Sequence, residues 1–387
     1  MKKKLEFRNI LLRFKGLFSI GISDVISGGI SSLFWLYVAT LLDVESYGKL
    51  FYLLAIVNIA TTISLVGSRN TLTVYVSKNI KLASTVFFIV IIFGSVASLI
   101  IFLMYYDIGS SLYVIGAVIF GLATSEILAK KFYMIYSKYL ITQKIISVGL
   151  SIGLYHWIGA NGILLGMAFS FFVYIPLIIK TFKTTKIDFS LLRPRFGFLI
   201  NSYVIDIITT LGKQIDKLII VPLLGFTLLG NYQLGIQFLS VFQLLPMIVL
   251  KYTLPHDAIG NPNKNLKIIT ILISICFTVL IIIFAPIIIP FFFQKFIYVI
   301  EVIQILSLSL IPLSIGTIYT SKFFGNAHSK IILIDVILYL SSFLLSVFVI
   351  GNTMGVVGIA IAYVISSIVP TIFLIIIDLR NKISKHE

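Results

Sequence analysis

The chain has 387 residues, of which 59% are hydrophobic and 11% charged, with a formal net charge of +16 and a mean hydropathy of +1.10. A water-soluble domain carries about a quarter of its residues as charges, so the composition excludes one and points to an all-α integral membrane protein. Strict residue-by-residue alternation is absent, which excludes a transmembrane barrel.

In chain order, apolar stretches of roughly 20 residues predict about twelve membrane helices: 17–42, 47–67, 82–104, 111–136, 143–158, 161–179, 197–224, 229–254, 266–292, 300–321, 330–350 and 355–377. The fifth, 143–158, is the shortest, and ten or eleven spans remain an alternative. The basic N-terminus before the first stretch resembles a secretion signal. That stretch is too long for one and contains Asp24, so it reads as a retained helix.

The basic residues alternate with the predicted spans. The N-terminal segment holds Lys2, Lys3, Lys4, Arg8, Arg13 and Lys15. The even-numbered connections hold clusters such as Lys130, Lys131 and Lys138, or Lys180, Lys183, Lys186, Arg193 and Arg195. The odd-numbered connections hold only Lys49 and Lys295. Positive residues mark cytoplasmic loops, so both termini are expected in the cytoplasm and the protein in the plasma membrane. The positive charge then belongs to topology, and no nucleic-acid partner is expected. Cys276 is the lone cysteine, and the four histidines are scattered. No disulfide, metal site or cofactor is expected.

Two six-helix halves are expected, 1–180 and 197–387, joined by a cytoplasmic linker at 181–196. Asp43 and Tyr47-Gly48 register with Gly225 and Leu229-Gly230 at an offset of 182, and Gly159, Gly162 and Gly166 with Gly355, Gly358 and Ala362 at an offset of 196. Halves in the same orientation form parallel repeats around a central cavity.

The seventh span carries Ser202, Asp206, Thr209, Lys213 and Asp216 on one helix face, with Lys217 beside them. Intramembrane charges cost roughly 2.5–3.5 kcal/mol each on insertion scales and face a cavity or a partner. The stripe is therefore either a substrate wall or a set of pairs in which Lys213 neutralises its neighbours. Span eight adds Gln233, Gln237 and Ser240. Ser23, Ser27 and Ser31, the cluster Asn58, Thr61 and Thr62, and Ser307, Ser314, Thr317 and Ser321 form further stripes. Singly these are helix–helix hydrogen bonds; jointly they outline a polar lumen. Asp24 is the candidate for proton or cation coupling, or else a structural acceptor for span-two hydroxyls. Arg69, Lys251 and Lys322 stand where they would attract phosphate or merely snorkel. Glu126 precedes Lys130 by four residues as a local pair, and Asp335 is read as complementing a helix dipole. No P-loop, G-x-S-x-G or H-E-x-x-H occurs, and a catalytic role is not expected.

The stretch Asp216-Lys217-Leu-Ile-Ile-Val-Pro-Leu-Leu-Gly225, followed by Leu229-Gly230-Asn231-Tyr232, and the glycines from Gly159 to Gly166 resemble the Wzx-type polysaccharide-unit flippases of the multidrug/oligosaccharidyl-lipid/polysaccharide exporter superfamily. The resemblance extends over essentially the whole chain. It implies transfer of a lipid-linked oligosaccharide from the cytoplasmic to the outer leaflet by alternating access. Lys213, Lys217, Asp216, Asp206, Gln233 and Gln237 would meet substrate. It further implies a monomer surrounded by membrane lipids and linked in function to glycosyltransferases and a polymerase. A multidrug or cation antiporter of the same superfamily is the alternative, disfavoured by the two lysines. A polytopic enzyme of polysaccharide assembly would need a larger outward loop than this chain offers.

Overall fold

The computed structural model describes the backbone of residues 2–258, 264–296, 299–325 and 329–383, with side chains for 20–249, 265–296, 299–323, 330–351 and 353–380. Every regular element among these residues is helical. In order they are α1 (Lys2–Leu41), α2 (Val44–Leu65), α3 (Ser68–Ser77), α4 (Ala83–Tyr105), α5 (Ile108–Ala129), α6 (Tyr133–Ile158) and α7 (Asn161–Ser170). A 3-10 turn, Phe171–Tyr174, leads into α8 (Ile175–Thr184). Then follow α9 (Phe196–Ala258), α10 (Lys264–Phe292), α11 (Val299–Ser307), α12 (Leu310–Gly325), α13 (Ser329–Ser346) and α14 (Asn352–Ile383).

Among the described residues, ten runs are long and apolar enough to cross a membrane. One of these, Phe189–Val249, is two spans, because α9 breaks at Gly225, where φ is 83° and ψ 175°. The remaining crossing is α6. Its 26 residues extend roughly 39 Å at 1.5 Å per residue, more than the 30 Å of hydrocarbon. With it the count is twelve, and the chain is a multi-pass membrane protein.

The fifth span is thus not the short one that the sequence suggests. The fourth ends at Ala129 rather than 136, and the fifth starts at Tyr133 rather than 143. The turn between them closes by Phe132 N donating to Ile127 O, with Lys131 left-handed at φ 59°. Glycine ordinarily fills that position, and Phe132 to Ile135 resume the apolar character at once, so only Lys130 and Lys131 mark the turn in the sequence. Similarly, α2 stops at Val66 and Gly67, both with positive φ, and α3 continues as a separate short helix.

The chain divides into two compact units, Met1–Ser31 with Leu50–Leu218, and Ser32–Lys49 with Ile219–Glu387. The boundaries fall inside α1, α2 and α9. These are units of packing; the expected halves at 1–180 and 197–387 are units of repetition, and the two need not coincide.

In the first unit α5 is central: 72% of its span is buried, against 33% for α4. Small residues allow this. A side chain on Gly109 would strike Leu164 and Leu165, and one on Gly116 would strike Phe171. Close backbone approach by small residues is what drives helix association in lipid. Leu65, Leu72, Phe87, Leu122 and Tyr174 form its apolar core. On the lipid side α4 exposes Phe88, Ile92, Phe93, Val96 and Leu103, and the exposed Tyr106 and Trp157 sit at the lysine-poor helix ends, as interfacial aromatics do.

In the second unit, hydroxyls join α10 to α11 and α12. Ser274 and Ser314 Oγ lie 2.6 Å apart, and Thr278 Oγ1 donates to Ser307 O at 3.0 Å. The segment 32–49 packs here. Tyr47 is fully buried, its ring edge-on to Phe296 and its hydroxyl donating to Trp35 O. Gly48 and Gly230 are reciprocal: a Cβ on Gly48 would lie 2.0 Å from Phe226 O, and one on Gly230 2.0 Å from Val44 O.

Candidate functional site

The charged stripe of the seventh span lies in the first unit, on α9 before Gly225. Ser202 is buried, Asp206 and Asp216 are half-buried, and Thr209 and Lys213 are exposed. Two other helices are brought to this stripe. Thr62 of α2 meets Thr210, oxygen to oxygen at 3.0 Å, and Asn70 Nδ2 of α3 donates to Asp206 Oδ1 at 3.5 Å. Arg69, next to Asn70, is close enough for its charge to interact with that of Asp206.

Two glycines make this possible. Gly67 turns the chain with φ 68°, and a Cβ there would sit 2.3 Å from Leu199 O of α9. Conformation and contact both require glycine at that position. Gly121 of α5 leaves room for Arg69, whose Nε would be 3.2 Å from an added Cβ.

The two lysines of the stripe differ. Lys217 is buried; its Nζ contacts Asp216 Oδ1 at 3.0 Å and Oδ2 at 3.2 Å, and donates to Lys213 O at 3.1 Å. Its charge is neutralised by its own neighbour. Lys213 offers only its carbonyl to this arrangement, and its ammonium has no ion-pair partner among the described residues. The expected pairing of Lys213 with Asp216 or Lys217 is therefore replaced by one between Asp216 and Lys217. Arg69, Asn70 and Lys213 are exposed and Asp206 half-buried, a group with an excess of one positive charge.

A second set of polar groups in the first unit includes Asp24, Tyr136, Tyr139, Gln143 and Tyr174. One partner of Asp24 is Tyr136 of α6, whose Oη donates to Asp24 Oδ1 at 3.2 Å. Tyr139 stacks near Tyr174 at 5.5 Å between centroids. Gln143 donates to Ser170 Oγ at 2.8 Å, while Gln143 Oε1 and Tyr174 Oη are buried without a hydrogen-bond partner. Each such atom costs about 1–3 kcal/mol.

In the second unit Gln233 and Gln237 are buried, and Gln233 Oε1 lacks a partner. Lys322 is not a free cation; it pairs with the buried Asp378 of α14. Lys251 lies outside the residues whose side chains are described. The Ser314 hydroxyl is spent on Ser274 of α10, and that of Ser307 donates to Gln304 O of its own helix at 2.6 Å. Glu126 keeps its expected partner Lys130 at 2.5 Å and also accepts from Thr181 at 2.5 Å. Asp335 is the seventh residue of α13, beyond the first turn where a helix dipole acts, so dipole complementation does not account for it.

Sequence reading missed Asn70, Tyr136 and Asp378. Asn70 adjoins Arg69 and was within reach of inspection. The others join residues 112 and 56 positions apart, and no local spacing reports such pairs.

The fold defined by these helices is a known one among membrane transporters. The structure of the lipid II flippase MurJ in an inward closed conformation superposes with a TM-score of 0.75 at 15% identity, covering 92% of this chain and 86% of that one. An inward-facing MATE-family multidrug resistance transporter of the MOP superfamily matches with a TM-score of 0.65 at 16% identity, over 95% of each chain. The Vibrio cholerae MATE transporter VcmN, in the form of a point mutant, matches with a TM-score of 0.56 at 14% identity, over 96% of this chain and 97% of that one. No protein-family model and no curated protein matches the sequence. At these identities the likeness establishes the fold.

Proposed function

We propose that this protein is a flippase that carries a lipid-linked oligosaccharide, attached through phosphate or pyrophosphate to a polyprenyl chain, from the cytoplasmic to the outer leaflet by alternating access. It acts in the plasma membrane as a monomer with both ends in the cytoplasm, between glycosyltransferases that build the unit and a polymerase that joins it. The fold it shares with a lipid II flippase supports a lipid-linked cargo. The observation that carries the reading is the positive excess where Arg69 of α3 adds to Lys213 and Asp206 of α9. Lys213 has no ion-pair partner among the described residues, Arg69 adds a second positive charge, and only Asp206 opposes them. Such a group pairs with phosphate oxygens and disfavours the organic cations of a multidrug antiporter. Transport energy enters through Asp24, whose carboxylate accepts a hydrogen bond from Tyr136.

The test is translocation of a fluorescent polyprenyl-pyrophosphate sugar in liposomes, read by outer-leaflet quenching. Lys213→Ala and Arg69→Ala should each slow it at least about tenfold, equivalent to 1.4 kcal/mol. Undiminished rates in both would remove phosphate pairing from this group. No translocation by folded wild type across several head groups would leave the antiporter reading. An Asp24→Asn protein that transports normally would take Asp24 out of coupling.

A further inference from the structure

A second binding feature lies away from the charged stripe, on the lipid side of the first unit. A cavity of about 230 Å³ opens between α4, α5 and α8. Its walls include Ile91 and Gly94 of α4, Val118 and Ile119 of α5, and Ile175 and Ile178 of α8. The missing side chain of Gly94 creates part of it, since a Cβ there would already lie 3.2 Å from Val118 Cγ2. Phe88 and Ile92 of α4 and Ile179 of α8, each within three residues of a lining residue, are exposed. A wholly apolar cavity does not hold water. It is below the roughly 300–1,000 Å³ of ordinary ligand pockets, a size suited to one hydrocarbon chain.

The segment below this cavity is basic and is fixed in place. Lys180, Lys183, Lys186 and Arg193 are all exposed. Ile178 and Lys183 are five residues apart, roughly 7.5 Å along α8 at 1.5 Å per residue. The segment after α8 is pinned to the base of α4, the helix that forms one cavity wall. Ser84 Oγ donates to Thr185 O at 2.9 Å, Asp188 N donates to Thr85 Oγ1 at 2.8 Å, and Thr85 Oγ1 donates to Asp188 O at 3.1 Å. The rings of Phe88 and Phe189 meet at the rim, 6.5 Å between centroids. The local acid, Asp188, is occupied by Ser190 N at 2.9 Å and Ser190 Oγ at 2.6 Å. Those bonds hold its carboxyl below the usual range, so Asp188 stays anionic, one negative charge against the four positive ones of Lys180, Lys183, Lys186 and Arg193.

We propose that this crevice and its basic rim form a binding site for an anionic phospholipid, with one acyl chain between α4, α5 and α8 and the phosphate at Lys183, Lys186 and Arg193. Basic groups at the membrane surface select anionic headgroups, and the crevice supplies the tail contact that a surface patch lacks. The occupant proposed is a bilayer lipid rather than the tail of the transported substrate, because the crevice is lined by α4, α5 and α8 and includes no residue of the α9 stripe.

Native mass spectrometry of the delipidated full chain, with phosphatidylglycerol or phosphatidylcholine added back, tests this without any transport substrate. Wild type should retain phosphatidylglycerol about tenfold more tightly. Lys183→Gln combined with Lys186→Gln, both exposed, should bring the two lipids close to parity. Ile91→Phe, which fills the crevice from its half-buried rim, should lower retention of both lipids about fivefold. Equal retention of the two lipids by wild type overturns the proposal. So does an Ile91→Phe protein that holds lipid as wild type does, or displacement of phosphatidylglycerol by an equimolar polyprenyl phosphate. None of these outcomes bears on whether α9 carries a flippase substrate.

Discussion

Lys217 and Asp216 illustrate how a single contact redistributes function among neighbouring charges. Their side chains are 10% and 14% exposed, so the pair is largely withdrawn from water. Removing one partner of such a pair leaves the other buried and unpaired, at about 3–5 kcal/mol, whereas replacing both by apolar groups is often neutral. Asp216→Ala should therefore lower the detergent unfolding midpoint sharply, while Asp216→Leu with Lys217→Leu recovers most of it and keeps Lys213 available for cargo. If the double variant is as unstable as the single one, the pair does more than neutralise charge. The sequence placed these residues on one helix face correctly, since spacing fixes direction. It did not reveal that Lys217 turns to Asp216 and leaves Lys213 open, because adjacent charges can pair in several ways and tertiary packing selects among them.

Asp43 acts at the same scale but outside the spans. It caps α2, with Ser46 N donating to its Oδ2 at 3.0 Å, and bonds from the Ser46 side chain and backbone hold its carboxyl below the usual range. A depressed carboxylate contributes stability above its unfolded value of about 3.9 and loses it as pH falls through the folded value. Asp43→Ala should cost about 1 kcal/mol at pH 7. The gap between variant and wild type in thermal unfolding should close below about pH 4; a gap that persists there would mean that the cap is not ionic.

Among elements, the most informative comparison is between the two turns that link spans five to six and eleven to twelve. Gly159 and Gly355 have positive φ, 72° and 59°. A Cβ on Gly162 would lie 2.3 Å from Leu154 O, and one on Gly358 2.4 Å from Ile350 O. Both contacts recur 196 residues later, the offset visible in the glycine pattern. The third position differs. Gly166 lets the backbone of Ser151 come within 2.4 Å of where its Cβ would be. Ala362 occupies the corresponding place, and the facing stretch Val347–Gly351 widens into a π turn, which accommodates the extra methyl. The glycine spacing was legible in sequence; the π turn was not, because it answers a contact and not a local preference. Gly48 and Gly230, at the other offset, invite a direct test. Overpacking typically costs about 1–3 kcal/mol, and an atom forced within 2.0 Å of a carbonyl oxygen belongs at the upper end. Gly230→Ala and Gly48→Ala should each destabilise strongly in a thermal-shift assay. Gly149→Ala, with nothing within 4 Å, should stay within about 0.5 kcal/mol. Equal effects at the three sites would mean that the crossing is looser than these distances require.

At the scale of the whole molecule the open question is which ends face which side, and α6 decides it. Lys131 precedes α6 and Lys183 ends α8, while Trp157 lies between them at the far end of α6. Because α6 crosses, Lys131 and Lys183 share one side and Trp157 the other. Composition alone left α6 ambiguous because Lys138, Gln143 and Lys144 lower its hydropathy; yet Gln143 is buried against Ser170, and the helix is long enough to hold Lys138 near the interface. Cys276 is the lone thiol and is exposed, so it is first replaced by serine. Single cysteines at 131, 157 and 183 are then labelled in intact cells with a membrane-impermeant maleimide. Trp157→Cys should label, and Lys131→Cys and Lys183→Cys only after permeabilisation. That pattern would fix twelve crossings with the lysine-rich ends inside, and with them the direction in which a flippase must work. Labelling of either lysine position in intact cells would break the charge rule for this chain and reverse or remove that direction.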